Sequence, residues 1–223
     1  MKYFIPLESG KFYHIFNRAV GNEKLFGSED NYIYFLKKYN EYISPIARTY
    51  SYVLMPNHFH FIVDIRDKEV LYKNYLILEL KKEFPKVKLE KDFDFDKFVM
   101  QQFSNFFNSY TKSFNKKYKR KGALFIDYLR RTLISDEEYL RNMILYIHQN
   151  PIHHKLSNRL EGWKYSSYKS ILSEKATLLE REEVINWFGD LENFIVMHTT
   201  KNIEYPSKLY GLKKPYSFQY KTL

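Results

Sequence analysis

The sequence predicts an α+β sandwich in which helices cover one face of an antiparallel sheet. Two observations carry this. Short aromatic and β-branched runs alternate with segments of helical periodicity. Two of the runs are joined only by Pro56-Asn57, a connection too short for a parallel crossover, so they form an antiparallel hairpin.

The elements follow in order. Phe12-Tyr13-His14-Ile15-Phe16 reads as a strand ending at Asn17-Arg18, before a turn at Gly21-Asn22-Glu23. Ser28-Glu29-Asp30 marks a helix start, with its acids at the positive end of the dipole. That helix runs through Tyr42 with Ile33, Leu36 and Tyr39 as its apolar positions, and Pro45 stops it. Strands Ile46 to Met55 and His58 to Ile65 form the hairpin. Residues 66–100 carry nine basic and eight acidic residues, the pattern of a helical insertion with a solvated face. A helix is expected from Phe98 to about Lys116, then a strand over Leu129 to Ile134. Ser135-Asp136-Glu137-Glu138 is a capping sequence in which Ser135 caps and Glu138 answers it. The helix it opens carries Leu140, Ile144 and Ile147 on one stripe and is expected to end at Pro151. A short helical region is expected at Glu182 to Phe188, and from Thr199 a tail with five Lys against one Glu. This βαββαβ order is that of a ferredoxin-like sandwich, with the second sheet face left to hold a site.

Composition narrows the function. The 223 residues are 44% apolar and 19% aromatic, so a core is affordable and wholesale disorder is excluded. No run approaches ~20 consecutive apolar residues and no signal-peptide pattern opens the chain, which makes a cytoplasmic protein without a membrane span the expectation. Without cysteine there is no disulfide framework, thiolate metal site or cysteine nucleophile. Thirty-six Lys and Arg against 26 Asp and Glu leave a formal charge of +10, which attracts polyanions such as nucleic acid.

Two constellations can do chemistry. His58 and His60 lie two apart on a strand, so both imidazoles face one way, roughly 6.5–7 Å apart at their base. They are either two half-exposed histidines or a pair leaning onto one divalent ion. Tyr146 and Asn150 lie four apart on a helix and share a face. Tyr146 serves as a core residue or a reactive phenol; Asn150 as a helix cap or an amide-oxygen ligand. His148, on another side of that helix, is a fallback ligand.

Together these stretches match a known arrangement. The sequence resembles the single-tyrosine HUH transposases, and most of all their REP-associated branch. The resemblance rests on Tyr13-His14-Ile15-Phe16-Asn17-Arg18, Met55-Pro56-Asn57-His58-Phe59-His60-Phe61-Ile62-Val63, Tyr146-Ile147-His148-Gln149-Asn150-Pro151 and Trp163-Lys164-Tyr165-Ser166-Ser167-Tyr168. It departs at Ile152-His153-His154-Lys155, where that branch tends towards a Val-Arg-Ala-Gly-like turn, and at the insertion. The resemblance implies a transposase domain over residues 1–175 and a C-terminal helical extension with a basic tail over 176–223. It implies that His58, His60 and Asn150 hold Mg²⁺ or Mn²⁺ and that Tyr146 is the nucleophile. The implied reaction nicks and rejoins single-stranded, hairpin-bearing DNA through a 5′-phosphotyrosine, in a monomer or a homodimer.

For DNA binding the candidates are Arg18, Lys112, Lys116, Lys117, Lys119, Arg120, Lys121, Arg130 and Arg131; strand alternation lets only one of the last pair face the DNA. Trp163, Tyr165 and Tyr168 either stack on bases or pack their loop onto the core. The rival readings are a replication initiator or relaxase of the same chemistry, a non-catalytic single-stranded nucleic-acid-binding module, and, last, a His-x-His metal hydrolase.

Overall fold

The computed structural model describes residues 5–126 and 129–201. Four strands form one antiparallel sheet: β1 (Phe12–Arg18), β2 (Ala47–Met55), β3 (His58–Ile65) and β4 (Arg130–Leu133), in the order β2-β3-β1-β4. Helices α1 (Glu29–Tyr42) and α3 (Phe95–Lys117) are the two crossovers of the βαββαβ unit. The fold class is therefore the expected one. Between β3 and α3 lies the insertion, made of α2 (Lys68–Leu80) and a 3₁₀ turn at Glu90–Asp92.

Strand alternation divides the sheet into two faces. Tyr13, Ile15, Leu54, Phe59, Phe61 and Val63 point to α1 and α3, which bury Phe35, Tyr39, Phe103, Phe106 and Tyr110 against them. The stripe of α1 differs from the expected one: Tyr32, Phe35 and Tyr39 are buried, and Ile33 is exposed. A 3.6-residue period selects spacings of three and four rather than repeated threes.

The second face is not bare. Helix α4 (Glu137–His153) lies across β2 and β3, packing Leu140, Met143, Ile144 and Ile147 on Tyr50, Val53, Met55 and Ile62. Asp136, not Ser135, caps α4: its carboxylate accepts from the Tyr139 N–H at 2.8 Å, while the Ser135 hydroxyl donates to Asp136. Nor does Pro151 end the helix. It sits in the last turn, which closes through His154 N–H to the Asn150 carbonyl and Leu156 N–H to the Pro151 carbonyl.

Three further helices follow: α5 (Tyr168–Leu172), α6 (Arg181–Trp187) and α7 (Leu191–Thr200). α6 matches the expected short helix; α7 was not expected. Val184, Phe188 and Phe194 from α6, α7 and the turn between them join the core under α4. The basic tail beyond Lys201 lies outside the described residues. Among the described residues no helix is long and apolar enough to cross a membrane.

Candidate active site

The β3 histidines and the α4 tyrosine come together because one lines the sheet face on which the other is laid. His58 and His60 occupy alternate positions of β3 and point towards α4, their ring centroids 5.2 Å apart. The Tyr146 ring meets His60 edge to face at 5.9 Å. Asn150, one turn on, lies beside His58. The phenol is thus bounded on one side by the core and on the other by an imidazole. His58, His60, Tyr146 and Asn150 are all buried, so a ligand reaches them only with local rearrangement.

Burial sets the protonation of this cluster. Desolvation lowers His58 to about 3, aided by the nearby His154 and Arg18, while Asn150 opposes the shift. His14 falls to about 3 by burial alone, and His60 is lowered well below its ordinary value by burial and then by the neighbouring histidines. Neutral imidazoles are what metal ligation requires.

The ring nitrogens are not all equivalent. His58 Nδ1 lies 2.7 Å from the Asn57 carboxamide oxygen, and His60 Nδ1 lies 2.9 Å from His14 Nε2. Both Nδ1 atoms are engaged away from the site. The Asn150 carboxamide is fully buried beside His58, close enough to act on that ring, yet neither its oxygen nor its nitrogen makes a well-formed hydrogen bond among the described residues. Such an orphaned group costs about 1–3 kcal/mol, a penalty that a cation on its oxygen relieves. Among the described residues no three His, Asp or Glu side chains form a group able to hold a metal ion. Any divalent ion at this place would have to be held by the two imidazoles together with the Asn150 amide oxygen.

Sequence reasoning did not place three histidines. His14 joins His60 across the β1–β3 ladder, and no sequence spacing reports a cross-strand contact. His153 brings its ring to 6.3 Å from Tyr146, and His154 its ring to 5.3 Å from His58. Both stand on the turn of α4 that continues past Pro151. The fallback ligand His148 is elsewhere: it is fully buried and hydrogen-bonded to Ser51, Ser167 and His198.

The basic candidates separate by what already holds them. Arg18 stands opposite His58 in the β1–β3 register. Arg130 lies over the Phe16 ring at 5.3 Å, on the histidine face. Arg131 is on the other face and donates to the Ile5 carbonyl. Arg120 pairs with Glu23 and donates to the Gly122 and Ala123 carbonyls, and Lys117 pairs with Asp30. Lys112, Lys116, Lys119 and Lys121 are exposed at the end of α3 and in the loop after it. The aromatic loop packs rather than offering rings to bases: Trp163 Nε1 donates to the Leu54 carbonyl, Tyr165 stacks on Tyr32 at 3.5 Å, and Tyr168 is buried.

No protein-family model matches the sequence, and no curated protein does. One solved structure is similar, that of a REP-associated tyrosine transposase bound to a REP hairpin. It is 13% identical, with a TM-score of 0.51 over 78% of this chain and 86% of that one. The similarity shows that the two share a fold.

Proposed function

We propose that this protein is a metal-dependent DNA strand transferase of the single-tyrosine HUH type, acting on single-stranded DNA with hairpin ends. The observation that carries the reading is the convergence of Tyr146, His58, His60 and an orphaned Asn150 carboxamide on one sheet face. The fold shared with a hairpin-bound transposase supports it.

His58 Nε2, His60 Nε2 and the Asn150 oxygen would hold Mg²⁺ or Mn²⁺. A divalent ion there supplies charge withdrawal from a non-bridging phosphate oxygen. The Tyr146 phenol oxygen attacks phosphorus; the O–P bond to tyrosine forms as the P–O3′ bond breaks. The phenol gives up a proton and the departing 3′ oxygen takes one, so one phosphodiester replaces another and the step runs in both directions. A second 3′-hydroxyl then displaces Tyr146 and joins the strands without a nucleotide cofactor. Arg18 and Arg130, on the histidine face, grip the strand near the site; Lys112, Lys116, Lys119 and Lys121 neutralise phosphates further out.

Incubation with single-stranded hairpin DNA and Mn²⁺, followed by mass spectrometry, is expected to show a covalent adduct on Tyr146. The Tyr146→Phe variant is expected to form none. An adduct that persists in that variant overturns the assignment. Binding of the same DNA with no adduct in the wild-type protein favours the non-catalytic module instead.

A further inference from the structure

The insertion carries an extended run that is not part of the sheet. Residues 85–89 follow α2 without a turn or bend and are exposed along their whole length. Side chains of α2 fasten one edge of this run. Lys86 N–H donates to the Glu79 carboxylate at 2.7 Å, and the Lys86 carbonyl accepts from the Tyr75 hydroxyl at 3.0 Å. Lys88 N–H donates to that same hydroxyl at 2.9 Å, and the Lys88 carbonyl accepts from the Tyr72 hydroxyl at 2.8 Å. Successive residues of an extended chain turn their backbone groups to opposite edges, so Pro85, Val87 and Leu89 present theirs outward. Among the described residues, the Val87 N–H and carbonyl, the Leu89 N–H and the Pro85 carbonyl make no hydrogen bond. The Leu89 carbonyl already accepts from Asp92 N–H at 3.0 Å. An open edge of this kind is a template for another strand.

We infer that this edge pairs antiparallel with the same edge of a second copy of the chain, about a two-fold axis at Val87, making the insertion a homodimer contact. The pattern of donors and acceptors selects the partner. In that register the two Val87 residues exchange N–H and carbonyl, and each Leu89 N–H donates to the Pro85 carbonyl of the other copy. Pro85, which has no N–H, then lies opposite the outward carbonyl that is already occupied, that of Leu89. An unrelated strand would set a carbonyl of its own opposite Pro85, with no donor to meet it. Pairing also brings Val87 against Val87 and Pro85 against Leu89 on one side of the ribbon; in the single chain Val87 is 48% and Leu89 62% exposed. On the other side Lys86 faces Lys88 of the other copy, a like-charge pair that salt screens. Two bonds at the axis and one on either side make a weak, reversible dimer. This contact stands or falls independently of the proposed function.

Sedimentation equilibrium of the full-length protein tests it. Wild-type protein is expected to show a monomer–dimer equilibrium that tightens several-fold as NaCl rises from about 50 to about 500 mM. Val87→Pro removes the axial N–H at an exposed position and is expected to abolish the dimer with the circular dichroism unchanged. Val87→Thr keeps the N–H and is expected to keep the dimer within a few fold. Because the chain has no cysteine, single replacements report the register. At the axis the two Cα atoms stand about 5.5 Å apart, within disulfide reach, whereas the two Leu89 positions lie about 13 Å apart along the ribbon. Val87→Cys is therefore expected to oxidise to a disulfide-linked dimer roughly tenfold faster than Leu89→Cys, or more. Wild-type protein that stays monomeric at about 0.5 mM overturns the inference. So does a dimer that salt weakens, one that survives Val87→Pro, or a link at Leu89 as fast as at Val87. Should Val87→Pro not fold, the two cysteine variants still decide.

Discussion

Gln149 and Asn150 are neighbours on α4, both buried, both carboxamides, and they are treated oppositely. Gln149 Nε2 donates to the carbonyls of His198 and Lys201, closing the C-terminal end of α7. Asn150, turned to the histidine face, has neither polar atom hydrogen-bonded among the described residues. The histidines divide along the same line. His148 sits in a closed network: Nε2 meets Ser167 and Ser51, Nδ1 meets His198, and His198 Nδ1 in turn meets the Phe194 carbonyl. The described hydrogen bonds of His58 and His60 go through Nδ1, to Asn57 and His14. A helix one residue wide in this sense separates a finished polar network from an unfinished one. Folding alone accounts for the first; under the proposed function the second is completed by a bound ion.

Acid is the largest lever on this contrast. Burial lowers His14 and His58 to about 3 and His198 to about 4, and it holds His60 and His148 well below the ordinary histidine value. The folded protein therefore binds fewer protons than the unfolded chain once the pH drops below about 6.5. Stability is fully present above that pH and is lost as the pH falls towards 4, by at most roughly 1.4 kcal/mol per pH unit for each ring. Urea unfolding is expected to show several kcal/mol less stability at pH 5 than at pH 7. Saturating Mn²⁺ is expected to move the acid midpoint downward, because it competes with protons for His58 and His60 and not for His148 and His198. An acid midpoint indifferent to Mn²⁺ breaks the contrast between the two clusters.

Next in size is the closed network itself. Gln149→Leu removes both hydrogen bonds to the end of α7 and leaves those carbonyls to find other partners. The expected loss is about 1–3 kcal/mol in urea unfolding at neutral pH. A change under about 0.5 kcal/mol shows that α7 is held by Phe194 and its apolar neighbours alone.

The sequence makes one of these regions far more legible than the other. Period-two spacing exposes His58 and His60 as a pair, and the four-residue interval links Tyr146 to Asn150, because both signals are local to one element. The βαββαβ order is legible for the same reason. What the spacing does not reveal depends on the ladder or on a helix boundary. His14 reaches His60 only through β1–β3 register. His154 reaches His58 only because α4 runs past Pro151. The fallback role for His148 fails because angular position on a helix says which side a residue takes, not that hydroxyls from β2 and the 163–168 loop wait there. α7 carries a start signal, Asp190 accepting from Asn193 N–H, but its apolar residues run together as Phe194-Ile195-Val196-Met197 and display no helical stripe.

Asn150→Leu gives the smallest stability change, and its sign is the sharpest test of the comparison. Leucine keeps the branched skeleton of asparagine, with bulkier methyl groups, and removes a buried carboxamide that makes no well-formed hydrogen bond within the described protein. Apolar replacement of an unpaired polar group is neutral or stabilising, so the metal-free variant is expected to unfold at unchanged urea concentration or with up to about 1 kcal/mol more stability. The same variant is expected to lose the stabilisation that Mn²⁺ gives the wild-type protein, since the third donor is gone. Opposite outcomes for adjacent carboxamides, a loss at 149 and none at 150, follow only if one amide serves the fold and the other a ligand. A loss at 150 equal to that at 149 means Asn150 also has a structural partner, and the orphaned oxygen then argues for no ion at all.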